Sequence, residues 1–115
     1  MNAAVLEATN EQIKHEFFSA YLYLSMAIHF DHVNLPGFAH WMKLQAQEEV
    51  NHAMRLIDYA NRRGGQVELQ ALDRPTTEWG TPLEIFQAAL DHERMVTGLI
   101  RALYAVAGEH GDVAT

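Results

Sequence analysis

Apolar residues recur every three or four positions through three stretches of this 115-residue chain, and the rhythm fails between them. The first stretch covers about residues 6–31, with Leu6, Ile13, Phe17, Ala20, Leu24 and Ala27 on one stripe. The second covers about 37–63, with Phe38, Met42, Ala46, Ala53, Leu56 and Ala60. The third opens after Thr81 and carries Leu83, Phe86, Ala89, Leu90, Val96, Ile100, Leu103 and Ala107. This spacing is that of amphipathic α-helices with one face toward a core. The boundaries carry their own signals. Val33-Asn34-Leu35-Pro36-Gly37 reads as a turn, and Gly64-Gly65 as a glycine helix stop. Thr81 reads as an N-cap, with Pro82 at the first helical position and Glu84 in the first turn. The region from Gly65 to Pro82 reads as a connection, with a short extended piece at Val67-Glu68-Leu69. The closing residues 108–115 read as a helix end and a linker.

Connection lengths restrict how such helices associate. The short turn makes the first two antiparallel neighbours. The second connection, roughly 18 residues, can reach about 60 Å when extended, whereas a helix of the second stretch's length rises only about 40 Å. It can therefore run the full length of a bundle and set the third helix parallel to the second. The expected fold is all-α, a bundle with one long crossover, in a single domain spanning residues 1–115.

Each helix also carries a glutamate on its apolar stripe: Glu16, Glu49 and Glu93. A carboxylate facing a core is costly unless its charge is compensated. His52 follows Glu49 at helical spacing, and helical rise from the turn places Glu16 about 28 Å, Glu49 about 22 Å and His52 about 26 Å away. These three fall within about one helical turn of each other on facing stripes, and Glu93 sits mid-helix on its own. Carboxylate oxygens with one imidazole suit iron or manganese and also accept zinc. The competing reading of each glutamate is a boundary residue reaching solvent.

Composition narrows the chemistry further. The formal net charge is −7, with eight Lys and Arg scattered along the chain, which argues against a nucleic-acid surface and favours attracting cations. The absence of cysteine excludes disulfides, thiolate zinc and iron–sulfur clusters. The N-terminus lacks a secretion signal, and no apolar run approaches the ~18 residues of a membrane span, so a cytoplasmic protein is expected. His15, His29, His32, His40, His92 and His110 read as surface or hydrogen-bonded histidines. Met26, Met42, Met54 and Met95 read as core or groove fillers, and Trp41 and Trp79 as packing or interface residues.

The run from Asn10 to Leu24, NEQIKHEFFSAYLYL, resembles the opening helix of the bacterial non-haem ferritins. GFAHWMK at Gly37 leading into QAQEEVNHA at Gln45, and the segment from Pro82 through His92-Glu93, resemble their second and third helices. The resemblance implies a ferritin-like bundle and a two-iron ferroxidase centre, with iron stored as a mineral inside a homo-oligomeric cage of about 24 subunits. It assigns Glu16, Glu49 and His52 to the first iron, with Glu49 bridging to a second iron that Glu93 also binds. Tyr23 matches a tyrosine that supports the centre and its redox chemistry, and Glu48 a glutamate of an accessory third site. Val50 stands where haem-binding relatives carry a methionine, so the resemblance is to the haem-free branch.

The departures define the alternative. The family's fourth helix, which supplies further carboxylates, and its short fifth helix are expected to be missing. The expected function is therefore oxidation of Fe(II) by dioxygen or peroxide for storage. The second reading is a structural subunit that completes its bundle and metal site only with another chain. A rubrerythrin-like peroxidase would need a cysteine module, and the two-helix encapsulin-associated ferritins match the pattern less well.

Overall fold

The computed structural model describes residues 1–111 and contains three helices: α1 (Ala3–His32), α2 (Pro36–Arg62) and α3 (Pro82–Glu109). α1 begins three residues earlier than the hydropathy rhythm indicates. Asn2 is the reason, because its side-chain oxygen accepts from the backbone N–H groups of Ala4 (2.8 Å) and Val5 (3.3 Å). The α1–α2 turn closes with the Leu35 N–H donating to the Phe30 carbonyl and the Asn34 N–H to the Asp31 carbonyl. That pair of bonds requires a left-handed residue, and Asn34 supplies it at φ 62°. Gly64 plays the same part after α2 at φ 72°, with Gly65 donating to the Ala60 carbonyl. At α3, Thr81 and Glu84 form the reciprocal capping box, with Pro82 in the first turn.

Contacts along the helices give their directions. Phe30 meets Phe38 near the turn and Glu16 faces His52 farther away, so α1 and α2 are antiparallel. Phe30 meets Phe86, Tyr23 meets Glu93 and Asn2 meets His110, so α3 is antiparallel to α1 and parallel to α2. The crossover achieves this by running along α1. Glu68 N–H donates to the Asn10 side chain at one end, and Ser25 Oγ donates to the Thr76 carbonyl near the other. Trp79 adds an indole N–H donated to Ser25 Oγ (3.2 Å) and packs beside the core. The extended piece expected at Val67-Glu68-Leu69 is not a strand; no strand occurs among the described residues.

α1 packs against both other helices, while the backbones of α2 and α3 do not approach each other. Side chains bridge them instead, Phe86 touching Phe38 and Trp41, and Ile85 sharing the core with Met42. The core lies at this end: Tyr23, Met26, Phe30, Met42 and Ile85 are fully buried there. Each such side chain contributes roughly 1.5–3 kcal/mol through removal from water. Farther along, the side between α2 and α3 is open, so Leu90, expected on a buried stripe, is exposed there. Leu24, Phe38 and Leu83 are exposed as well.

The interior line of α1 differs instructively from the apolar one. It holds the expected Ile13, Ala20 and Ala27 together with Val5, Tyr23, Met26 and Phe30, and it also takes in four polar residues, Thr9, Gln12, Glu16 and Ser19. Of the expected stripe, Phe17 is half-buried and Leu24 exposed, because the polar members take part of the interior face.

Candidate metal centre

α1 and α2 bring Glu16, Glu49 and His52 together midway along the bundle. One ligand atom of each lies within 4.8 Å of the others. His52 Nδ1 is 3.2 Å from Glu49 Oε2 and 3.6 Å from Glu16 Oε2. Metal–ligand bonds of ~2.0–2.2 Å hold two ligands of one ion no more than about 4.4 Å apart. Both measured separations fit that limit. Glu16 is only 2 % exposed and Glu49 only 4 %. Gln12 Nε2 donates to Glu16 Oε1 (3.1 Å), but Glu16 Oε2 has no hydrogen-bond donor among the described residues.

The electrostatics are those of a site that needs positive charge. Burial first, then the neighbouring Glu16 and Glu93, push the Glu49 carboxyl up to about 10. Without a cation, Glu49 therefore keeps its proton at neutral pH. A divalent ion inverts that preference and also gives the donor-less oxygen of Glu16 a partner. Two carboxylates and one imidazole are a hard-to-borderline donor set, which the ions Fe(II), Mn(II) and Zn(II) accept.

Glu93 stands beside this group rather than within it. Glu93 is exposed along its stem, but its carboxylate turns inward, where the buried Tyr23 hydroxyl donates to Oε1. Burial, followed by that bond to Glu93, raises the phenol well above the usual tyrosine range, so Tyr23 remains a donor. Glu93 is still near enough to help hold the proton on Glu49, which makes it a neighbour of the centre. Glu48 is on the outer side, its Oε2 3.9 Å from His52 Nε2. His52 thus turns one nitrogen inward to the buried acids and the other toward a surface acid.

Three supporting residues were not picked out by the sequence pattern as parts of the site. Gln12 occupies the interior position four before Glu16, a spacing that announces it once the polar stripe is recognised. Ser19, wholly buried, and His92 form a 2.7 Å hydrogen bond between α1 and α3. Burial lowers the His92 imidazole below its ordinary value, so the ring is held neutral. The 73 residues separating this pair leave no local signal. Other expected placements divide: Met26 and Met42 are buried, whereas Met54 and Met95 are exposed.

The ferritin-like domain family matches residues 6–115. A bacterial non-haem ferritin of Bacteroides fragilis is 47 % identical over 108 residues, covering 94 % of this chain and 68 % of that protein. The middle ferritin subunit of Salmo salar is 42 % identical, covering 91 % of this chain and 61 % of that one. Among solved structures, the open-pore ferritin of the archaeon Archaeoglobus fulgidus superposes with a TM-score of 0.96 at 45 % identity. That superposition covers 99 % of this chain and 70 % of the archaeal one. The chain thus spans about two thirds of the length of these relatives.

Proposed function

The chain belongs to the ferritin family, and on that premise we propose that it takes up Fe(II), oxidises it to Fe(III) and stores the product as a mineral within a homo-oligomeric cage. Glu16, Glu49 and His52 hold the first Fe(II). Glu49 bridges toward a second, which Glu93 also binds, and Glu48 contributes to an accessory third position. Entry of the cation drives the proton off Glu49, since the carboxylate form is the ligand. Tyr23 orients the Glu93 carboxylate through its hydroxyl. Each Fe(II) gives up one electron; two together supply the pair that reduces dioxygen to peroxide, or peroxide to water. Carboxylates serve both oxidation states because they are hard, anionic donors. The setting proposed for this is a cage of about 24 subunits in the cytoplasm.

One observation supports this reading above the rest: two buried carboxylates and an imidazole nitrogen converge within 4.8 Å, with one buried oxygen left without a donor. The test is oxidation of Fe(II) in air, followed by absorbance of the ferric product. Replacing Glu49 and His52 together by alanine abolishes the rapid phase on this reading; an unchanged rate overturns it.

The open side between α2 and α3 favours a second reading, in which another chain completes the bundle and supplies further ligands beside Glu93. Solution mass measured alongside the oxidation rate separates the two. A homo-oligomer of this chain that oxidises iron rapidly with no other protein present overturns the second reading, and a stable monomer overturns both.

A further inference from the structure

α3 is held to α1 at the level of the metal centre by two polar bonds made from consecutive residues. His92 bonds to Ser19, and Glu93 accepts from Tyr23. Ser19 and Tyr23 lie four residues, about one turn, apart on α1. The two bonds therefore form a short ladder that sets both the height and the rotation of α3 against α1. Around them only the small side chains of Ala89 and Val96 bury α3 within a turn on either side. α2 gives α3 no backbone neighbour, the residues after Glu93 on α3 are exposed until Val96, and Leu90 before it is exposed too.

The chemistry of the Ser19–His92 rung is directional. Ser19 has one hydroxyl proton, and its Oγ lies 2.8 Å from the His15 carbonyl, which can only accept. The oxygen is thus left as the acceptor for His92 Nε2–H at 2.7 Å. The imidazole is fixed in one tautomer, edge-on to the Tyr23 ring with centroids 5.8 Å apart, and tilted against Phe18 at 6.0 Å. His92 therefore touches both ends of the neighbouring rung: covalently it precedes Glu93, and through its ring it packs on Tyr23.

We propose that Ser19 and His92 are positioning residues for the second iron, holding α3 so that Glu93 presents its carboxylate to Glu49, while taking no part in the Glu16, Glu49 and His52 group. This rests on the two-iron reading above. The first group is built by α1 and α2 alone, so disturbing the α3 register affects the two positions unequally. Loss of a hydrogen bond that orients a ligand weakens metal affinity by about 10- to 100-fold. That loss falls on the second equivalent only.

The experiment is anaerobic titration of the full chain with Co(II), as a redox-stable stand-in for Fe(II), by calorimetry and by absorbance. Wild type, Ser19→Ala, His92→Leu and His92→Gln are compared, with helix content and Tm recorded for each. The expected result is two equivalents in the wild type. In Ser19→Ala and His92→Leu the second equivalent weakens about tenfold or more and the first is unchanged. His92→Gln, whose amide can donate to Ser19, recovers the second equivalent. Wild-type affinity for both equivalents in Ser19→Ala overturns the inference and leaves the two-iron reading standing. Equal weakening of both equivalents, or failure of glutamine to rescue, also overturns it, since a general structural role behaves so. A wild type that takes one equivalent only overturns the two-iron reading itself.

Discussion

Glu49 is a buried acid that holds its proton until a cation replaces it, and this leaves a mark on stability. In the unfolded chain it ionises near 4.5, whereas in the metal-free fold it does so at about 10. Between those values the folded state binds more protons than the unfolded one. The stabilising difference is therefore full below about pH 4.5 and is lost as pH rises toward 10. Each pH unit in that window costs at most ~1.4 kcal/mol. Glu49→Gln carries a neutral amide of the same shape and removes this dependence. Urea denaturation of both metal-free proteins between about pH 6 and about pH 8 should show the wild type losing stability relative to Glu49→Gln. Parallel curves would mean that Glu49 is already ionised in the fold. At this scale much of the site was legible in the sequence. Glu16, Glu49 and His52 could be found because a charge on an apolar stripe is conspicuous and helical rise fixes its height. The Tyr23–Glu93 and Ser19–His92 bonds could not, because they depend on how far α3 is rotated against α1, which no local spacing encodes.

The helices themselves were legible to within a few residues, and the misses have identifiable causes. Periodicity alone starts the first helix at Leu6, but the cap that starts it is Asn2, whose short side chain satisfies two N–H groups. The buried line of α1 keeps the expected Ile13, Ala20 and Ala27, but it is wider than the apolar pattern shows. Thr9, Gln12 and Ser19 face inward yet look like surface residues, whereas Leu24, expected on the stripe, is exposed. Thr81-Pro82 with Glu84, by contrast, is unambiguous, because reciprocal capping needs those residue types at that spacing. Both of its bonds are made, Glu84 N–H to Thr81 Oγ1 at 3.2 Å and Thr81 N–H to Glu84 Oε1 at 3.3 Å. Thr81→Ala removes the first bond and the anchor of the second, which typically costs ~1 kcal/mol. For a chain of this size that lowers Tm by about 4 °C. Thr81→Ser keeps the hydroxyl and restores most of the loss; an unchanged Tm for the alanine variant would show that the start of α3 is not coupled to global unfolding.

For the whole molecule, the decisive property is the unequal support of the three helices. α1 is covered on two sides and buries residues along its length from Val5 to Phe30. α3 has backbone neighbours on α1 but none on α2, which it meets through side chains such as Phe86 against Phe38 and Trp41, and it buries Ile85, Ala89, Val96, Leu103 and Ala107. Segments with few buried apolar contacts open locally at lower free energy than the core. Amide hydrogen exchange on the metal-free chain should therefore be slowest in α1 and fastest in α3, especially beyond Val96. The same measurement reads the metal centre. An ion bound by Glu16, Glu49 and His52 links only α1 and α2, so a first equivalent of Co(II) slows exchange there and leaves α3 as it was. A second equivalent held between Glu49 and Glu93 ties α3 to that pair and slows its exchange around residues 89–96. Binding stabilises a state by RT ln(1 + [L]/Kd), so at 100-fold excess over Kd the protection rises about 100-fold. Exchange in α3 that ignores the second equivalent would remove Glu93 from the centre. Protection appearing in α3 with the first equivalent would mean that the three helices open as one unit, with the weak side of the bundle closed by something other than metal.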